Sequence, residues 1–182
     1  VPKVLHTCHK FFSDHILLWC KEAIGRDELD ACYQCLHARV GFRHFGSCIS
    51  HVRQITGHKH CEIQRIIVAV AAGAVKPALL HAVCTLVDFI YQAQSPVHTA
   101  ALIAATAVLL GEFHNNKQSI LDAKACQGAS TPINHFNIPN LELLQHFARS
   151  IRDMGCIIQF MADITEHLLI THCKHPFSAT NG

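Results

Sequence analysis

Residues with metal-binding side chains lie close together near position 35 of this 182-residue chain. Cys32 and Cys35 are separated by two residues and His37 follows, so two thiolates and one imidazole could bind one ion. The spacing of the cysteine pair is that of a zinc knuckle. A structural zinc site usually has four ligands, and no second pair at comparable spacing follows closely. The sequence therefore predicts Cys32, Cys35 and His37 as candidate zinc ligands.

A second group of such residues comprises His172, Cys173 and His175. Imidazole and thiolate suit zinc, copper or iron, and an axial His or Cys among apolar helices can also bind haem. The chain contains 10 cysteines and 16 histidines, so neighbours of this kind also arise by chance. His172 and His175 are therefore candidate metal ligands, with ordinary packing or surface roles as the alternative.

The densest grouping of acidic residues and histidine comprises Asp163, Glu166 and His167. If this segment is helical, the three side chains share one face, because residues three and four apart are neighbours on a helix. These are the candidate catalytic residues of the chain. The alternative is a solvated helix face or a carboxylate that caps a helix.

Basic residues concentrate in the first third of the chain, although a formal net charge of +2 does not by itself indicate a nucleic-acid-binding protein. Lys and Arg side chains there could contact phosphates with salt-dependent, largely sequence-independent affinity. Phe42 and Phe45 lie among them and could stack on bases. The alternative is a solvated surface above a core that contains both phenylalanines. The candidate nucleic-acid contacts are Arg39, Arg43, Arg53, Lys59 and Arg65.

The elements that position these residues are predicted to be helices. Helical spacing of apolar residues, with Gly and Pro at the ends, predicts helices over residues 10–24, 27–36, 49–57, 61–74, 77–94, 97–124 and 139–154. Asp27 is a predicted N-cap, Gly111 a weak point of the long helix, and residues 71–74 a central part of the bundle. Residues 128–138 form a predicted loop, and 156–161 could be a strand. The predicted fold is mainly α, a multi-helix bundle with at most one or two short strands, in a single domain over residues 1–182.

The amino-acid composition indicates where in the cell the protein is located and whether it binds a membrane. Half of the residues are hydrophobic, which is enough for one compact core. The longest apolar stretches, residues 66–75 and 99–111, are shorter than the ~20 residues of a membrane-spanning helix, so no membrane partner is predicted. The first residues lack the pattern of a secretory signal, and a chain that builds a core does not depend on disulfides. The predicted location is intracellular, nucleus or cytoplasm, with reduced thiols; a processed secreted chain is the alternative.

Four stretches, in order along the chain, resemble one protein family. They are His6-Thr-Cys-His-Lys-Phe-Phe-Ser-Asp-His15 with Trp19-Cys20; Leu36-His37, Gly41-Phe-Arg-His-Phe45, Ile49-Ser50, Gln54 and Thr56-Gly57; Phe113-His114, Lys117 and Ile138-Pro139-Asn-Leu-Glu142; and Asp163-Ile-Thr-Glu-His167, Ile170-Thr171, Lys174, Pro176 and Asn181. In these residues the chain resembles transposases of the Plavaka type, a group of fungal cut-and-paste DNA transposons. The similarity covers nearly the whole sequence.

The resemblance implies a class of enzyme in which three carboxylates of an RNase H-like core hold two divalent metal ions, Mg²⁺ or Mn²⁺. It places the family's late Glu-His pair at Glu166 and His167, with Asp163 beside them. Asp14 or Asp88 would supply an upstream carboxylate. The chain shows no alternation of strands and helices, so the resemblance implies the helical insertion of such a transposase and not its whole catalytic core.

Several residues depart from the family's pattern. Leu168-Leu169 replace a polar continuation, His175 stands where an acid is typical, and Ser178 replaces a basic residue. The leading prediction is therefore a transposase-derived helical domain that is not catalytic in isolation and binds DNA or another partner. The alternatives are a metal- or haem-binding helical protein and a two-metal DNA nuclease. Homo-oligomers are compatible with each of these functions.

Overall fold

The computed structural model describes residues 4–37, 40, 44–46, 48–50, 57–128, 131–157 and 168–180. Most of these residues are helical. The described part of the chain contains no strand, and an isolated antiparallel bridge joins Gln127 and Pro132. The predicted mainly α, multi-helix fold is confirmed.

The helices follow one another with mostly short connections. They are α1 (Leu17–Ile24), α2 (Arg26–Gln34), α3 (Gly57–Ala71), α4 (Pro77–Ala93), α5 (Ala100–Asn116), α6 (Gln118–Asp122), α7 (Pro139–Gln145), α8 (Phe147–Met154) and α9 (His175–Thr180). π-Helical segments precede α1 (Val4–His9 and Phe12–Ile16) and α9 (Ile170–Lys174).

The helical hairpin of α4 and α5 forms the centre of the bundle. Pro77 lies in the first turn of α4, where its missing N–H costs no hydrogen bond. One face of α4 is fully buried, including Val83, Leu86 and Ile90. Thr99 caps α5, because its side-chain oxygen accepts a hydrogen bond of 3.2 Å from the backbone N–H of Leu102.

An aromatic cluster joins the start of the chain to α5 and to the loop before α7. The rings of Trp19 and Phe113 are stacked with centroids 6.2 Å apart. Phe136 packs edge-on against both, at 5.9 Å from Trp19 and 6.2 Å from Phe113. Phe11 contacts the other side of Trp19 at 6.0 Å. This cluster holds the loop before α7 against the end of α5.

Helix ends set by glycine or proline lie where the sequence predicts them, and the predicted N-cap at Asp27 is wrong. α1 ends at Gly25, whose φ of 97° is unfavourable for other residues. Gly25 also precedes the first residue of α2, so Asp27 lies in the first turn and is not the N-cap. In the first turn, the negative charge of Asp27 still interacts favourably with the positive end of the helix dipole. Gly57 is the first residue of α3, and residues 51–56 of the helix predicted before it lie outside the described residues.

Three helices that the sequence predicts as continuous are shorter or divided in the structure. α3 ends at Ala71, and residues 72–74 form an exposed turn with Gly73 at φ 84°, not a central part of the bundle. The long helix divides at Lys117 and not at Gly111, because side chains there bond to backbone carbonyls, as Ser119 Oγ does to Asn116 at 2.7 Å. The helix predicted over 139–154 divides at His146. Of the possible strand at 156–161, residues 158–161 lie outside the described residues.

Candidate binding groove

A groove of about 460 Å³ opens between the end of α5, the loop before α7, and α7 itself. Small-molecule sites in proteins commonly have volumes of roughly 300–1,000 Å³. Polar and apolar side chains both line it: His114, Lys117, Asn137, Glu142 and Gln145 with Phe136, Ile138, Pro139 and Leu141. A groove with this lining can bind a ligand that has both polar and apolar parts.

Lys117 is held in place at this groove by two contacts. Its Nζ lies 3.2 Å from Nδ1 of His114 and 5.5 Å from the centroid of the Phe136 ring. An ammonium group only donates hydrogen bonds, so Nδ1 of His114 accepts and the neutral imidazole carries its proton on Nε2. The ammonium also gains from the negative face of the aromatic ring. Lys117 therefore presents a positioned cation to whatever binds.

His114 is neutral at pH 7. Its burial lowers its pKa below the usual value, and the charge of Lys117 lowers it further. Its Nε2 is buried and has no hydrogen-bond partner among the described residues. An unsatisfied buried donor costs about 1–3 kcal/mol, so this imidazole lowers the stability of the fold beside the groove.

A smaller apolar cavity of about 180 Å³ adjoins the groove between α5 and α7–α8. The two share His114 and Gln145, and the smaller cavity is otherwise mostly apolar, with Phe89, Leu110 and Leu144 among its lining residues. The imidazole of His114 thus lies where a polar compartment meets an apolar one.

Local sequence explains how the groove residues are positioned. The interruption of the helix at Lys117 ends α5 beside the loop, and Pro139 starts α7 directly after it. Glu142 and Gln145 are three residues apart on α7 and so lie on one face. Phe136 is fixed by its edge-on contacts with Trp19 and Phe113.

The groove unites residues from two separate parts of the sequence. His114 and Lys117 lie at the end of α5, and Ile138, Pro139 and Glu142 lie about twenty residues later. Both parts fall in the third of the four stretches on which the family resemblance is based. Reasoning from sequence found these residues as parts of a resemblance but did not assign them to a site. The remaining lining residues, Phe136 and Gln145 among them, carry no motif that would have identified them.

The predicted zinc ligands lie in the last turn of α2 and just after it. Cys32 is half-buried with its Sγ 3.9 Å from Oε1 of Glu28, and Cys35 and His37 are exposed. His172 and His175 are exposed near α9. Among the residues that the structure describes, no three His, Cys, Asp or Glu side chains are grouped as a metal site requires. The metal and haem sites stay predictions.

The predicted catalytic residues Asp163, Glu166 and His167 lie outside the described residues. The two candidate upstream carboxylates are described and have other contacts. Asp14 pairs with Lys10 at 2.8 Å, and Asp88 accepts a hydrogen bond from the Cys84 thiol at 3.6 Å. The prediction of a two-metal nuclease therefore gains no geometric support.

Most of the predicted nucleic-acid contacts, Arg39, Arg43 and Arg53, also lie outside the described residues. Lys59 is on α3, and Arg65, on the same helix, pairs with the buried Glu62 at 2.7 Å. Phe45 is buried against Tyr33, with ring centroids 5.7 Å apart, so for this residue the alternative of a core role is confirmed.

The structure is a mainly α fold with a groove that polar and apolar side chains both line. No protein-family model matches the chain, and neither a curated protein nor a solved structure matches it. Of the helices in the described ranges, none has both the length and the apolar content needed to cross a membrane. No disulfide is present among the described cysteines.

Proposed function

We propose that the chain is a non-catalytic binding domain derived from a Plavaka-like transposase, and that its partner occupies the groove at Lys117 and Phe136. One observation carries this proposal. Two parts of the third stretch that resembles the family are separated by about twenty residues of sequence, yet both line the same groove. Lys117 and Glu142 face this cavity and not the core, as the side chains of a binding site do.

DNA is the partner that the resemblance implies, and the chemistry of the groove suits one nucleotide of a single strand. The Lys117 ammonium can contact a phosphate, and the Phe136 ring and the adjoining apolar cavity can accept a base. The amides of Asn137 and Gln145 offer donors and acceptors to a base edge. Because Glu142 offsets the charge of Lys117, shape and hydrogen bonds would dominate over bulk attraction.

The test uses Trp19, the single tryptophan of the chain, as a reporter. Its ring contacts Phe136, which lines the groove, so a bound base should change its fluorescence. Titration with a short single-stranded oligonucleotide should give a saturable change. The logarithm of the association constant should fall with the logarithm of salt concentration, with a slope of about −0.7 per phosphate contacted.

Substitution of Lys117 by alanine should weaken oligonucleotide binding about tenfold or more, because a hydrogen bond to a charged group contributes roughly 1.5–3 kcal/mol. Lys76→Ala is the matched control, since Lys76 is an exposed lysine before α4, away from the groove. Equal losses in the two variants would mean non-specific attraction. Absence of any saturable signal would reject the groove as a DNA site.

The proposed location is intracellular, nucleus or cytoplasm, and the proposal allows homo-oligomers. A chain that builds a core of this size does not depend on disulfides, which supports a reducing compartment. Elemental analysis and an absorbance spectrum of the purified chain would test the alternative of a metal- or haem-binding protein. A nicking assay with Mg²⁺ or Mn²⁺ and Glu166→Gln would test the nuclease.

A further inference from the structure

Cys156 and His98 form a close thiol–imidazole pair on the side of the bundle where α8 ends. Cys156 Sγ lies 3.4 Å from Nδ1 of His98, although the two residues are 58 positions apart in sequence. His98 belongs to the connection between α4 and α5, and Cys156 directly follows Gly155 at the end of α8. The tertiary fold, not a local motif, creates this pair.

The imidazole of His98 is fixed in one orientation. Its Nε2 lies 3.0 Å from the backbone carbonyl of Gln92. A carbonyl only accepts hydrogen bonds, so Nε2 carries the proton and Nδ1 turns its lone pair toward the thiol. Gln92 is itself held, because its Oε1 accepts a hydrogen bond of 3.1 Å from Thr106. The pair therefore has an oriented base beside a thiol, the arrangement that activates cysteine nucleophiles.

The sulfur of Cys156 is also positioned and accessible. It lies 3.0 Å from the carbonyl oxygen of Pro96, and in the resting state the thiol donates a hydrogen bond to this oxygen. Cys156 and His98 are both half-buried, so a small reagent can approach the sulfur from solvent. When the S–H group turns from the Pro96 carbonyl to His98 and the sulfur gives its proton to Nδ1, the sulfur becomes a thiolate beside an imidazolium.

Other thiols of the chain have surroundings of the opposite kind. Burial raises the pKa of Cys84, and the neighbouring carboxylate of Asp88 raises it further. Burial and the Glu28 carboxylate do the same for the pKa of Cys32. Burial raises the pKa of Cys20 to about 12. These cysteines are internal standards for a thiol without an imidazole base.

We propose that Cys156 is a nucleophilic thiol that undergoes exchange with small disulfides of the glutathione class, with His98 as its proton acceptor. His98 Nδ1 takes the thiol proton, and the Cys156 thiolate attacks one sulfur of the disulfide. The new bond joins Cys156 to that sulfur while the original S–S bond breaks. The departing thiolate takes the proton from His98, so one disulfide and one thiol are consumed and one mixed disulfide and one thiol are formed.

The test measures the rate at which each cysteine reacts with glutathione disulfide at pH 7, by mass spectrometry of peptides from the folded chain. Cys156 should react about tenfold faster than Cys84 or Cys32, because the raised pKa of these two thiols leaves little thiolate at this pH and no imidazole in the described part of the chain accepts their protons. Cys35 and Cys173 are exposed, so their rates show how fast an accessible thiol reacts without activation by a neighbouring base. If either reacts as fast as Cys156, exposure decides the rate and the proposal fails.

His98→Gln removes the base but keeps an amide that can donate to the Gln92 carbonyl. The rate at Cys156 should then fall to that of Cys35, while the rates at Cys35 and Cys173 stay unchanged. An unchanged rate at Cys156 in this variant would overturn the role of His98. Thermal unfolding checks that the variant is folded; if it is not, the ranking of cysteines in the unaltered chain decides the question.

Discussion

The carboxylate of Asp30 shows how one buried side chain fixes a whole segment. It accepts hydrogen bonds from the backbone N–H groups of Ile49 at 2.7 Å and Ser50 at 2.9 Å, and from the Ser50 hydroxyl. Burial alone would raise the pKa of Asp30, but the hydrogen bonds from Ser50, Ile49 and Cys48 outweigh it and hold the pKa below its usual value. The segment around residue 49 is thereby attached to α2.

Asp30→Asn should lower the free energy of unfolding by about 1–3 kcal/mol at pH 7, because the amide satisfies these donors less well. A carboxyl group whose pKa is lowered by folding stabilises the fold above its unfolded pKa of about 4, and this contribution is lost as the pH falls through the folded value. Urea unfolding at pH 7 and pH 3 should therefore show the difference shrinking in acid.

Asp14→Asn is the control for this carboxylate. Asp14 makes an exposed ion pair with Lys10, so its replacement should change stability by about 0.5 kcal/mol or less. Equal effects of the two substitutions at pH 7 would show that the buried hydrogen bonds of Asp30 contribute nothing specific.

At the level of residues, the sequence indicated which side chains could bind or react better than it indicated which of them contact one another in the fold. His114 and Lys117 stand out in the sequence only as part of the family resemblance, and the contact of Lys117 with Phe136 depends on a loop. Cys156 and His98 are invisible as a pair, since 58 positions separate them and neither belongs to a motif. Spacing in sequence predicts which side chains are neighbours only when both residues belong to the same helix.

At the level of elements, two glycines with different backbone conformations should respond in opposite ways to alanine. Gly155 ends α8 with φ 82° and ψ −160°, a region that is nearly restricted to glycine, so Gly155→Ala should destabilise by about 1–3 kcal/mol. Gly111 is helical, and an added Cβ meets nothing within 4 Å, so Gly111→Ala should stabilise by about 0.5–1 kcal/mol. Denaturant unfolding measures both.

Each variant is the control for the other, since both replace hydrogen by a methyl group at an exposed position. A stabilising effect at Gly155 would mean that its backbone relaxes without cost. A destabilising effect at Gly111 would mean that α5 needs a flexible point there, as the sequence alone suggested.

Helix boundaries were predictable where one residue determines the backbone. Pro77, Pro139, Gly25 and Gly155 mark real helix ends because ring closure or a positive φ acts locally. The interruption at Lys117 was not predictable, because it depends on side-chain hydrogen bonds that compete with the helix ladder. The apolar residues 72–74 lie in an exposed turn, so hydrophobicity without periodicity was a poor guide to burial.

At the level of the whole molecule, buried histidines should make the fold sensitive to acid. Burial lowers the pKa of both His15 and His114. The unfolded chain then binds protons that the folded chain does not, so stability is full above the unfolded value of about 6.5 and is lost as the pH falls toward the folded values. Urea unfolding at pH 7.5, 6 and 5 should show a progressive decrease.

His114→Gln should reduce this dependence on pH, whereas His175→Gln, an exposed site near the end of the chain, should leave it unchanged. The slope of the unfolding free energy against pH between 5 and 7.5 is the quantity to compare. If both variants keep the full slope, His114 is not one of the groups that resist protonation.

The π-helical turns before α1 determine whether the chain can lose a single residue there without losing its packing. In an α-helix each residue advances by about 100°, so the loss of one residue rotates everything that follows away from its partners. The turn at Phe12–Ile16 already carries a residue more than an α-helical turn. Deletion of one codon within it would restore an ordinary turn and leave Trp19 facing its aromatic neighbours. A single-codon deletion should therefore be tolerated there and damaging in α4, whose turns hold no extra residue.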